Sequence, residues 1–163
     1  MDQDSSKIFE RLIAAEQLPP NRREREAGEE YSDHWSHPVL LERAAYLRKL
    51  ARAGDGSASE TLREYDGHAM MLSVRLRSGI AEFHERFADL FIVLDGKATL
   101  VTGGSMVGAH EVGPGEVRGK EIEGGMCREL RAGDVAHVPA ATPHQMLLSG
   151  DKGFAALVMK IGQ

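Results

Sequence analysis

Beyond residue 60 the hydrophobic pattern of this chain has a period of two. Met70, Leu72, Val74 and Leu76 alternate with Met71, Ser73, Arg75 and Arg77, the signature of a strand with one buried face. Asp66-Gly67 ahead of it forms a hairpin-type turn. Further short strands are expected at Ile80 to His84, Asp89 to Leu94, Lys97 to Val101, Val135 to Val138 and Phe154 to Lys160. Ser78-Gly79, Asp95-Gly96, Gly103-Gly104, Gly124-Gly125 and Gly133-Asp134 punctuate them. Many short strands separated by glycine turns restrict such a chain to a sandwich or a small barrel.

The first third follows a different pattern. Ile8, Phe9, Leu12 and Ile13 recur at helical spacing behind Ser5 and Ser6, and Pro19-Pro20 ends the run. Residues 21–30 carry charges of both signs, as a solvated linker or helix face does. A second helix begins near Pro38, carries Val39, Leu40, Ala44, Leu47 and Leu50, and is capped by Gly54. Asp55 to Ser59 is expected to be a loop. The organisation is therefore a helical extension over residues 1–54 and one all-β barrel domain over 55–163.

Composition excludes several classes. With 20 Lys and Arg against 25 Asp and Glu, the net charge is -5 and no basic stripe is present to neutralise phosphates, so nucleic acid is not an expected partner. No run of about 18 apolar residues occurs, so no membrane association is expected. The single cysteine, Cys127, makes neither an intrachain disulfide nor a Cys-type zinc site, which fits a cytoplasmic location. At this length a core hides enough surface to be stable without disulfides or a structural metal.

Chemistry is concentrated on a few strand positions. Glu82 and His84 share one face of their strand, Asp89 opens the next strand opposite them, and His144 follows Pro143 in a turn after Val135 to Val138. One carboxylate pair and two imidazoles are thus candidates for a common site. His137, with the parity of Val135, is a further candidate for the cavity. His34, Trp35 and His37 are assigned to a helix start, the scattered methionines to core filling, and Cys127 to packing as a small hydrophobe.

At these residues the chain resembles the cupin superfamily, whose motifs are G(x)5HxH(x)3,4E(x)6G and G(x)5PxG(x)2H(x)3N. Gly96, Asp89, His84 and Glu82 fall on the first motif, and Gly133, Pro139 and His144 on the second. Glu82 replaces a histidine, Asp89 a glutamate, Ala141 a glycine and Leu148 an asparagine, and Gly79 stands only two residues before Glu82. The resemblance covers roughly residues 65–160. It implies a double-stranded β-helix, a jelly-roll barrel with a ligand cavity at its mouth, and one divalent metal (Zn, Fe, Mn, Ni or Co) held by Glu82, His84, Asp89 and His144.

Each assignment has an ordinary structural alternative. Glu82 is equally suited to pairing with an arginine such as Arg75 or Arg86, and Asp89, one methylene shorter than the family residue, to orienting a ligating histidine. Lys97 to Arg131 is longer than the family's minimum and is expected to form a long loop or extra hairpin, with Glu111, Glu116, Arg118 and Lys120 available to a polar ligand. The cavity is expected to be apolar, lined by Met70, Leu72, Phe91, Val93 and Met146, with few charges. Two functions fit: a metal-dependent oxygenase, isomerase or lyase acting on a small organic molecule, or a non-catalytic small-molecule-binding module. A homodimer is expected, the segment Ile8 to Ile13 having no evident partner within the domain.

Overall fold

The structure, a computed structural model, describes residues 32–163. The apolar segment Ile8 to Ile13 and the mixed-charge run lie outside the described residues, as does most of the expected extension. Helix α1 spans His37–Ala53, with Ser36 before it, Pro38 in its first turn and the Gly54 N–H donating to Leu50 O at 2.9 Å. Gly54 has φ -105° and so caps through its N–H alone, without a left-handed turn. Leu40, Ala44, Leu47 and Ala51 are buried, a stripe of spacing four, three and four that marks one helix face.

Twelve strands follow among the described residues: β1 Ser57–Tyr65, β2 His68–Arg75, β3 Ala81–His84, β4 Phe87–Thr102, β5 Ser105–Val107 and β6 His110–Gly113. The rest are β7 Glu116–Gly119, β8 Glu121–Glu123, β9 Met126–Arg131, β10 Val135–Val138, β11 His144–Leu147 and β12 Phe154–Gly162. Every pairing is antiparallel. One sheet runs β1-β2-β12-β4-β10 and the other β9-β4-β11-β3-β7-β6, so the expected double-stranded β-helix is present.

The long strand β4 belongs to both sheets. Its first half lies between β12 and β10, and its second half between β9 and β11. This corrects the expectation of two strands joined by a turn at Asp95-Gly96. Gly96 has φ +82°, and a Cβ there would come within 2.2 Å of Gly153 O. The glycine bends the strand from one sheet to the other, with Asp95 and Gly96 still paired to Ala155 and Phe154.

Two other local expectations change, and a third is narrowed. Ser57 to Ser59, expected as loop, begin β1 because they pair with Ser73 to Arg75 of β2, a cross-strand context that overrides weak intrinsic preference. His144 opens β11 instead of sitting in a turn. The long inter-motif segment, expected as a long loop or extra hairpin, takes the second form: it folds as β5 to β9, with β6-β7 a hairpin and β5-β8 a separate two-stranded sheet. Gln145, only 5% exposed, fixes this insertion to the barrel. Its amide donates to Gly79 O and Lys120 O, and its carbonyl accepts the Ile122 N–H at 3.1 Å.

The alternation on β2 and β12 separates two cores. Leu72, Val74 and Ala155 point outward and pack with Leu40, Ala44 and Leu47 of α1. Val93, Leu100, Leu130, Val138, Met146, Phe154 and Val158 fill the barrel interior. Each fully buried Leu or Val side chain contributes about 1.5–3 kcal/mol, so α1 shields an outer sheet face that would otherwise be exposed. No described helix is long and apolar enough to cross a membrane.

Candidate functional site

The site is assembled from cross-strand pairs. Antiparallel register sets Glu82 opposite His144 and also opposite Arg118, His84 opposite Glu116, and Asp89 opposite Lys160. Directly opposed residues have Cβ atoms close enough for their side chains to interact. Strands β3, β4, β7, β11 and β12 therefore deliver these groups to one end of the barrel. The turn before β11 is held in place by the Ala141 N–H, which donates to His84 O at 2.8 Å, and by Pro143 O, which accepts the Gly103 N–H. Ala141 has φ +56°, the left-handed conformation for which a glycine is suited, at the position where the second cupin motif has glycine.

Both imidazoles are buried and aimed inward. His144 Nδ1 lies 3.1 Å from Thr142 O, and since a carbonyl only accepts, Nδ1 carries the proton. Its Nε2 is buried and has no hydrogen-bond partner, though it lies 3.2 Å from Asp89 Oδ2 and 3.9 Å from Glu82 Oε2. His84 Nδ1 lies 2.6 Å from Glu116 Oε2, which fixes the same tautomer and turns Nε2 toward the same space. Glu82, His84 and His144 each offer a ligand atom within 4.8 Å of the others. Two nitrogens and a carboxylate oxygen form a donor set suited to a first-row divalent ion. A bare, buried imidazole nitrogen in such a set is what a ligand position requires, so the residues fit the metal that the resemblance implies.

Asp89 and Lys160 complete the arrangement. Lys160 Nζ is 2.8 Å from Asp89 Oδ1 and 3.0 Å from His84 Nε2. Asp89 is 3% exposed, and burial alone would raise its pKa. Outweighing this, His144 at 3.2 Å and His84 at 3.5 Å donate to Asp89 whenever their Nε2 atoms are protonated, and with the Lys160 ammonium they hold it well below the usual carboxylate range. Burial lowers the His84 pKa and Lys160 adds to that effect, but the Asp89 and Glu116 carboxylates raise it above the ordinary histidine value. The Lys160 contact requires a neutral imidazole, whereas the carboxylates favour the imidazolium. The His84 ring thus lies between a cation and Asp89 at Nε2 and Glu116 at Nδ1.

These groups border a cavity of about 250 Å³. Met71, Phe91, Met146, Phe154, Ala156 and Val158 supply apolar lining, while Arg75, Glu82, Arg118 and Lys160 add strong charge to it. Two expectations are corrected here. Met70 and Leu72 pack toward α1, because Met71, Ser73 and Arg75 take the inward parity of β2. The expected scarcity of charge also fails. His137 is exposed, as is Val135 of the same parity, since Ala136 and Val138 take the inward face of β10. Met126 and Cys127 are exposed on β9 and pack into no core.

All four expected metal-site residues come together, but Lys160 and the role of Glu116 went unrecognised. Lys160 carried a readable signal: it has the parity of Phe154, Ala156 and Val158 on an otherwise apolar strand, a charge placed on an inward face. Glu116 carried none, because its approach to His84 depends on β7 pairing with β3 across 32 residues of chain.

No protein-family description matches this sequence, and no curated protein matches it. Solved structures do. An uncharacterized conserved protein with a double-stranded beta-helix domain from Klebsiella pneumoniae is 16% identical, with a TM-score of 0.55 over 81% of this chain and 91% of that one. The protein TT1209 from Thermus thermophilus is also 16% identical, with a TM-score of 0.52 over 75% and 93% of the two chains. At this identity the likeness concerns the fold.

Proposed function

We propose that this chain, which has the double-stranded β-helix fold of the cupin superfamily, binds one divalent metal ion at the barrel mouth and acts there on a small organic molecule. The ligands are Glu82, His84 and His144, with Asp89 beside them. The observation that carries this reading is the buried His144 Nε2, which has no hydrogen-bond partner and faces two carboxylates. A lone pair buried next to anions is costly unless a proton or a metal cation is placed between them, and the second imidazole and Glu82 close by suit the metal. When bound, a divalent ion would serve as a Lewis acid toward a substrate oxygen. The protein residues supply the remainder: Thr142 O and Glu116 fix the imidazole tautomers, and the apolar walls around Phe91 and Phe154 exclude water from one side of the cavity.

A second reading, a metal-free binding module, is favoured by Lys160. Its ammonium already sits on Asp89 and His84 Nε2 and supplies positive charge to the site. Elemental analysis of protein purified without chelator or affinity metal separates the two. About one divalent transition-metal ion per chain supports the metal-dependent reading, and no such ion, in the purified protein and again after metal loading, supports the binding module.

A further inference from the structure

We infer that the cavity takes a small organic carboxylate whose acid end is held by Arg75. This deepens the proposed function and rests on the same site, with Glu82, His84 and His144 as metal ligands. Arg75 ends β2 at the inward parity, and its side chain is 25% exposed. Its Nη2 stands 4.0 Å from Glu82 Oε2, beyond hydrogen-bond reach, and no hydrogen bond of its guanidinium occurs among the described residues. Arg118 differs: it donates to Glu116 Oε2 and to Val117 O.

The Arg75 guanidinium lies against Gly79: a Cβ there would come within 2.8 Å of Nη1 and 3.0 Å of Cζ, so a side chain at that position would shift the end of the arginine. A positioned fork with unused N–H donors matches a planar carboxylate, which it can bind in a bidentate manner.

Charge and shape point the same way. Around the site Arg75, Arg118 and Lys160 balance Glu82, Asp89 and Glu116, three against three. A divalent ion would leave an excess of two positive charges, which an anionic ligand reduces. The apolar part of the lining, with Met71, Phe91, Phe154 and Val158, suits an apolar body. The volume of about 250 Å³ lies below the usual range of drug-sized pockets, so that body is small.

Calorimetric titration of the full chain loaded with Mn(II) tests this, using isobutyrate and benzoate against isobutyramide and benzamide. Metal content is measured on every sample. The acids should bind and the amides should not. Arg75→Met should weaken acid binding about tenfold or more with metal content unchanged. Gly79→Ala, which keeps the arginine but shifts its end, should weaken acid binding by a smaller factor. Amides binding as tightly as acids, unaltered acid affinity in both variants, or no acid binding to the wild type would each overturn the inference. A wild type that holds no metal yet binds the acids through Arg75 would sustain this inference while refuting the metal reading.

Discussion

Replacing Lys160 with Met separates the metal-free from the metal-loaded protein. Met keeps most of the side-chain length and removes the ammonium, leaving Asp89, 3% exposed, without its lysine. Removing one partner of a fully buried ion pair costs about 3–5 kcal/mol. Lys160 is 30% exposed, so water already screens part of the interaction and the expected loss is about 2–3 kcal/mol. In a chain of this length that lowers Tm by roughly 5–10 °C in chelator. Metal binding should change in the opposite sense. The His84 Nε2 lone pair cannot accept from Lys160 and bind an ion together, so the wild type must give up that contact on loading and the variant need not. Only that one contact, worth about 1–1.5 kcal/mol, is given up on loading, so Lys160→Met should bind metal roughly 5- to 10-fold more tightly. Thermal denaturation in chelator and competitive metal titration of both proteins provide the assay. A variant as stable as wild type without metal, or one with unchanged metal affinity, would refute the reasoning.

Asp89→Asn should show an acid dependence of fixed sign. The folded-state pKa of Asp89 lies below its unfolded value, so its contribution is fully present above about pH 4 and is lost as pH falls toward the folded value. The Asp89 part of the stability gap between metal-free wild type and variant should therefore be at full size above about pH 4 and narrow steadily as pH falls below it in urea titrations; a gap that does not narrow in acid would contradict it. Glu116→Gln weakens the anchor on His84 Nδ1 and should cost about 10- to 100-fold in metal affinity, read by competition with a chromogenic chelator. Ala141→Gly relieves a left-handed alanine and should stabilise the fold by roughly 0.5–1 kcal/mol in chemical denaturation.

Much of the barrel is legible because a strand's parity is local. The alternation through Met70 to Arg75 marks β2, and Val135 to Val138 is a strand at the expected bounds. Which face looks inward is not local: both faces of β2 are covered, one by α1 and one by the cavity, so apolar character could not distinguish Leu72 from Met71. On β10 the opposite holds, for His137 and Val135 share a parity and both are exposed. The continuity of β4 through Asp95-Gly96 depends on Gly153 passing against Gly96, a contact 57 residues away in sequence. The site follows the same division. His84 and His144 are legible as residue types at motif positions, while Glu116 and Lys160 join them only through the register of β7 with β3 and of β12 with β4.

The most direct test of the metal site is metal content per chain after identical loading of wild type, His84→Ala and His144→Ala, with the exposed His137→Ala as control. About one ion per chain is expected in wild type and in His137→Ala, with occupancy largely lost in the other two, since each loses an inward Nε2 from a set with few protein ligands. Equal occupancy in all four proteins, or none in wild type, would contradict the metal site.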